Sequence, residues 1–149
     1  MARPSGTTEP TTSRLACAQG LYLLVTGAWP LVHYRSFEWV TGPKVDRWLV
    51  QTVAGLGVTI GWAMFRAGSA PGQGPTAARL GAGSALTFGA IDAVYGATGR
   101  IRRLYLADAA VEAAWLAAWA LRRDRGGGPR PRRTGSRGPR AHRARAARA

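Results

Sequence analysis

Three carboxylates stand inside apolar stretches of this chain, at Asp92, Asp108 and Glu112. An acid surrounded by apolar residues costs several kcal/mol unless it is paired, protonated or hydrated, so all three must face an interior. Asp108 and Glu112 are four residues apart and share one face of a helix. Such a group can bind a small ligand or ion, or handle protons. Equally, it can be neutralised by arginines and act only as a lock. A second polar group, His33, Arg35, Glu38, Lys44, Asp46 and Arg47, falls in one short segment between apolar runs. Together the nine residues form the candidate polar or ligand site, with neither a complete catalytic motif nor a cofactor motif among them.

Four apolar runs must position these side chains: 15–32, 48–65, 80–99 and 104–121, each 18 to 20 residues long. A helix rises about 1.5 Å per residue, so each run is long enough to cover a hydrocarbon core. The expected fold class is therefore all-α, a polytopic four-transmembrane-helix bundle. It leads to one domain over 15–121, preceded by a flexible leader over 1–14. The segment from His33 to Arg47 reads as an interfacial loop, with Pro43 suited to the first turn of the next helix. Segment 66–79 reads as a plain connector of small residues and proline. Arg100 to Arg103 is short enough to make spans three and four antiparallel neighbours. In such a topology the first and third loops share one side. Asp92 lies seven residues before Gly99 and Glu112 eight after Leu104, so both should sit about 10–12 Å deep and level.

Trp29, Tyr34, Phe37, Trp39, Trp48, Tyr95 and Tyr105 lie near the ends bordering loops one and three, as interfacial aromatics do. Gly57 and Gly61, Ala85 and Gly89, and the ladder Ala109, Ala113 and Ala117 have the spacing of small residues that let helices approach closely, within the chain or in a homo-oligomer. Gln19, Gln51 and Thr52 are expected to add interhelical hydrogen bonds.

The 149 residues carry 21 basic and 7 acidic side chains. Eleven arginines fall in the segment 122–149, which has no apolar period and should form a disordered tail. This tail begins directly at the end of a span, which favours anionic lipid headgroups as its partner. Without interleaved aromatics or a recognition element, nucleic acid is the less favoured partner. Both termini and loop two hold 15 basic residues against six on the other side, which puts both termini in the cytoplasm of a multi-pass plasma-membrane protein. Cys17, the single cysteine, excludes an intrachain disulfide and a thiolate metal cluster. His33 with the three acids could present oxygen-rich ligands to a divalent cation. The nearby arginines oppose this, so no metal and no cofactor are expected.

The string Gly27-Ala28-Trp29-Pro30-Leu31-Val32-His33, with Ser36-Phe37-Glu38, the run from Val40 to Val50, Ile91-Asp92 and Tyr105-Leu106-Ala107-Asp108-Ala109, resembles a group of small bacterial four-helix integral membrane proteins. A more distant likeness is to DoxX-type membrane proteins, through architecture. The resemblance implies a four-helix membrane fold over 19–121 and brings no activity with it. On this reading the chain is a non-enzymatic membrane protein whose polar cluster locks the bundle or binds a small partner. The alternatives are a proton-coupled transporter or membrane enzyme using Asp92, Asp108 and Glu112, and a nucleic-acid tether acting through the tail.

Reporter fusions test the parity. Fusions in segment 66–79 and after Leu121 should be cytoplasmic, and fusions within 33–47 or 100–103 should be external; any other pattern removes the four-span topology.

Overall fold

A computed structural model describes residues 9–126 as five helices: α1 Glu9–Val32, α2 Tyr34–Thr41, α3 Arg47–Gly68, α4 Gly74–Ala97 and α5 Tyr105–Gly126. Among the described residues there is no strand. Two helices, Ser13–Val32 within α1 and α3, are long and apolar enough to cross a membrane. The long helices form two antiparallel pairs, α1 with α3 and α4 with α5. α1 is central, touching α4 and α5 as well as α3.

The α1–α3 pair is held at backbone distance by glycine. A Cβ on Gly61 would meet the carbonyl oxygen of Gly20 at 2.6 Å and the amide of Leu24 at 2.7 Å. A Cβ on Gly20 would meet the Gly61 carbonyl and the Phe65 amide, both at 2.7 Å. Gly27 against Ala54 and Gly68 against Ser13 and Cys17 repeat the contact toward the two ends. Close approach brings many dispersion contacts into register along both helices. The expected role of Gly57 and Gly61 is met here, since both are buried against α1. The alanine ladder of α5 behaves differently: Ala113 and Ala117 are exposed, because α5 turns its bulkier polar residues inward.

Several boundaries differ from those expected. α1 starts at Glu9, so the last six residues of the 1–14 leader are helical. Pro10 suits a first turn, where it loses no backbone hydrogen bond. Residues 33–47 are not a plain loop, since they contain α2. His33 caps it by accepting the Ser36 amide on Nδ1 at 3.2 Å, and Gly42, at φ 92°, ends it with its N–H donating to Glu38 O. That positive φ favours glycine. Pro43 lies outside α3, which starts only at Arg47, after the Asp46 carbonyl has accepted the Leu49 and Val50 amides. Arg122 to Gly126 continue α5 beyond the expected end at Leu121. The remainder of the expected tail, with residues 1–8, lies outside the described residues.

The apolar core occupies the half of the bundle next to the α3–α4 turn, where Leu15, Ala16, Leu23, Met64, Ala77 and Trp119 are buried together. At the opposite end, the Arg102 guanidinium donates to the carbonyls of Trp39 and Val40 at 3.2 and 3.3 Å, which brings segments 33–46 and 98–104 together as expected.

Gly61→Val should force α1 and α3 apart, because the obstructing atoms are backbone and cannot rotate away. We expect a loss of about 1–3 kcal/mol in detergent unfolding. Gly55→Ala, with nothing within 4 Å of the added methyl, should be neutral or slightly stabilising. Equal effects of the two substitutions would disprove the backbone contact.

Candidate functional site

The inward face of α5 is a stripe at helical spacing: Asp108, Glu112, Trp115 and Trp119. α1 meets it with Gln19 and Tyr22, three residues apart. α4 contributes Asp92, and elsewhere along this contact it carries small residues that leave room for the stripe. A Cβ on Gly81 would stand 2.5 Å from both Gln19 Oε1 and Trp119 Nε1, and one on Gly89 would meet Glu112 Cβ at 3.0 Å.

Near the apolar core, a closed polar layer forms. Trp119 Nε1 donates to Gln19 Oε1 at 2.6 Å, and Gln19 Nε2 donates to the Gly81 carbonyl at 2.9 Å. Gln19 is completely buried and Trp119 is 2% exposed, so each bond replaces one to water that neither group could make. One turn further along, the Tyr22 hydroxyl donates to Asp108 Oδ1 at 2.5 Å, and its ring packs on Trp115 with centroids 5.9 Å apart. Glu112 is 1% exposed, and its Oε2 has no hydrogen-bond partner; Trp115 Nε1 is likewise shut from water and unpartnered. Asp92, 7% exposed, faces Asp108.

Asp92, Asp108 and Glu112 therefore do converge, together with Tyr22. Their register differs from the expected one: Asp92 is level with Asp108, and Glu112 is one turn deeper, opposite Gly89. The helix ends account for one residue of this, since α4 stops at Ala97 and α5 starts at Tyr105, and the rest is set by the packing of Gly81 on Trp119 and Gly89 on Glu112.

The other candidates lie above this group and are mostly engaged elsewhere. Lys44 is the cation nearest in influence to Asp92; its Nζ donates to Thr41 O at 3.1 Å and stands 4.8 Å from the centre of the Tyr105 ring. Glu38 Oε1 accepts the Lys44 amide at 3.1 Å. Arg47 stacks over Tyr34 at 4.5 Å. His33 serves α2 as its cap, Asp46 precedes α3 with its side chain exposed, and Arg35 is exposed. Arg102, a natural partner for buried acids on sequence grounds, is bound to the carbonyls of α2. Among the described residues, no group of three His, Cys, Asp or Glu side chains is placed to hold a metal ion.

Gln19 forms the interhelical bonds expected of it, whereas Thr52 donates to Trp48 O of its own helix. Tyr22, Trp115 and Trp119 were missed, although the 4-3-4 spacing of the α5 stripe marks two of them. No family model, curated protein or solved structure matches the chain.

The Gln19–Trp119 bond gives a direct test. Trp119→Phe keeps most of the ring volume and leaves a buried carbonyl oxygen without its donor, which should cost about 1–3 kcal/mol. Adding Gln19→Leu to Trp119→Phe should recover part of that loss in a double-mutant cycle, and strict additivity would show that the bond does not couple the two residues.

Proposed function

We propose that the chain is an integral membrane protein in which α1, α3, α4 and α5 all cross the bilayer, α2 lies at the interface, and the group Tyr22, Asp92, Asp108 and Glu112 takes up a proton. The observation that carries the site is the Glu112 carboxyl: fully enclosed, with Oε2 unpartnered, beside a tyrosine hydroxyl already bonded to a second acid. A buried acid held this way has affinity for any positive charge that can reach it. The tight packing of Gly89 against Glu112 favours the smallest such ligand.

The membrane setting rests on an inverted distribution of polarity. Gln19, Ser84, Asp92 and Glu112 are buried, while Leu21, Val25, Leu56, Trp62, Leu86, Ile91, Val94, Val111 and Leu121 are exposed, on all four long helices. A water-soluble bundle of this size would leave an apolar surface far larger than the usual patch. Exposed hydroxyls at Thr26, Thr52, Thr59 and Thr87 each donate to a carbonyl four residues earlier, as hydroxyls must where no water is at hand. Two helices meet the length and hydropathy of a span, and α4 and α5 carry the charged residues Arg79, Asp92, Asp108, Glu112 and Arg122 that lower theirs. The basic bias favours cytoplasmic termini in the plasma membrane, with the arginine-rich tail against anionic lipid.

Thermal unfolding of Asp92→Asn and Glu112→Gln in detergent separates a site from a lock. A proton site predicts midpoints that hold or rise, because an uncharged isostere relieves desolvation and repulsion. A charge-paired lock predicts a loss of about 3–5 kcal/mol in both. Infrared difference spectra between acid and alkaline buffer should then show a carboxyl band that Glu112→Gln removes; its persistence would take Glu112 out of the proton site.

A further inference from the structure

The end of α1, α2 and the start of α3 line an open groove of about 570 Å³ that is chemically unlike the acidic interior. Its walls include Arg35, Lys44 and Arg47 against a single carboxylate, Glu38, which leaves a formal charge of +2. Glu38 already accepts the Lys44 amide, so part of its charge is satisfied by backbone. The Arg47 guanidinium is held flat over the Tyr34 ring at 4.5 Å, which fixes the plane of its donors without using them. His33 adds a ring whose Nδ1 faces the Ser36 amide, leaving Nε2 uncommitted by that bond. The Tyr34 hydroxyl oxygen is closed off from water and has no partner.

We propose that this groove binds a phosphate group, through the guanidinium groups of Arg35 and Arg47. Two planar forks at one opening match the tetrahedral, multiply accepting oxygens of a phosphate better than a planar carboxylate. The volume lies within the range of small-ligand sites. Val32 lines it at 84% exposure, and Trp39 and Trp48, the sequence neighbours of Glu38 and Arg47, are 81 and 66% exposed. Tryptophans at this position settle at headgroup level in a bilayer, so the phosphate can belong to a lipid whose chains cover Val32 and the two indoles. A free phosphate would use the same two arginines and leave that apolar rim bare. This site is separate from the acidic group and does not depend on it.

The full chain in maltoside micelles is titrated with dioctanoyl phosphatidylglycerol, inorganic phosphate and, as the phosphate-free control, dioctanoylglycerol, following the thermal midpoint. Wild type, Arg35→Gln and Arg35→Gln/Arg47→Gln are compared. We expect saturable stabilisation by a phosphate-bearing probe, about tenfold weaker in Arg35→Gln and weaker again in the double variant, since one charge-assisted bond lost corresponds to roughly a factor of ten. Stabilisation by the phospholipid alone assigns the phosphate to a headgroup, and equal saturation by inorganic phosphate assigns it to a soluble ligand. Arg35 is exposed, so its variant should fold whether or not the double variant does. Three results would overturn the proposal: no saturable effect of either phosphate probe, equal stabilisation by dioctanoylglycerol, or identical titrations in wild type and Arg35→Gln, which would place the anion on the arginine-rich tail.

Discussion

The backbone contact between α1 and α3 is the constraint on which the rest of the structure depends. With Gly20 against Gly61 and Gly27 against Ala54, α1 has almost no freedom to rotate or slide on α3. Its opposite face is thereby fixed, and that face carries Gln19 and Tyr22. Each must meet its partner on α5 within hydrogen-bond distance, at Trp119 and Asp108 respectively. A rotation of α1 by a fraction of a turn would leave both pairs of buried polar groups unsatisfied, at a cost of about 1–3 kcal/mol for each group stranded.

Two layers of different character follow from that placement. The Gln19–Trp119–Gly81 layer is closed: its donors and acceptors match, and it ties α1, α4 and α5 together beside the apolar core. The Tyr22–Asp108 layer is open, since the adjoining Glu112 and Trp115 each keep a buried polar atom without a partner. A protein interior tolerates unsatisfied groups rarely, and a cluster of them beside converging acids is where a ligand gains most from arriving. The proposed proton site therefore lies on the half of the bundle that packing leaves incomplete.

At the end formed by α2 and segment 98–104, the basic residues are drawn away from the acids by aromatic rings and carbonyl oxygens. Arg47 prefers the face of Tyr34, Arg102 the carbonyls of Trp39 and Val40, and Lys44 the ring of Tyr105. Planar cations on aromatic faces retain their charge while being held in place. This separates an acidic interior from a basic rim, with Lys44 between them, and makes two sites of opposite preference possible in one small bundle.

The sequence by itself determined that the chain is helical, that the polar residues gather toward one end, and that Asp92, Asp108 and Glu112 converge, because apolar periodicity, turn residues and the cost of burying charge act locally along the chain. It also marked Gly57 and Gly61 as contact residues and Gln19 as an interhelical donor. It did not determine that residues 34–41 form a helix: that depends on Trp29, whose indole donates to Ser36 Oγ at 2.8 Å and whose ring meets Phe37 edge-on. Nor did it give the offset of Glu112 from Asp92, which follows from how the glycines of α4 seat on α5, or the choice of partner for each arginine. Those depend on which backbone carbonyls and ring faces lie within reach once the helices have packed, and only the tertiary structure decided that, because a contact such as that of Arg102 with Trp39 and Val40 joins residues far apart in the chain.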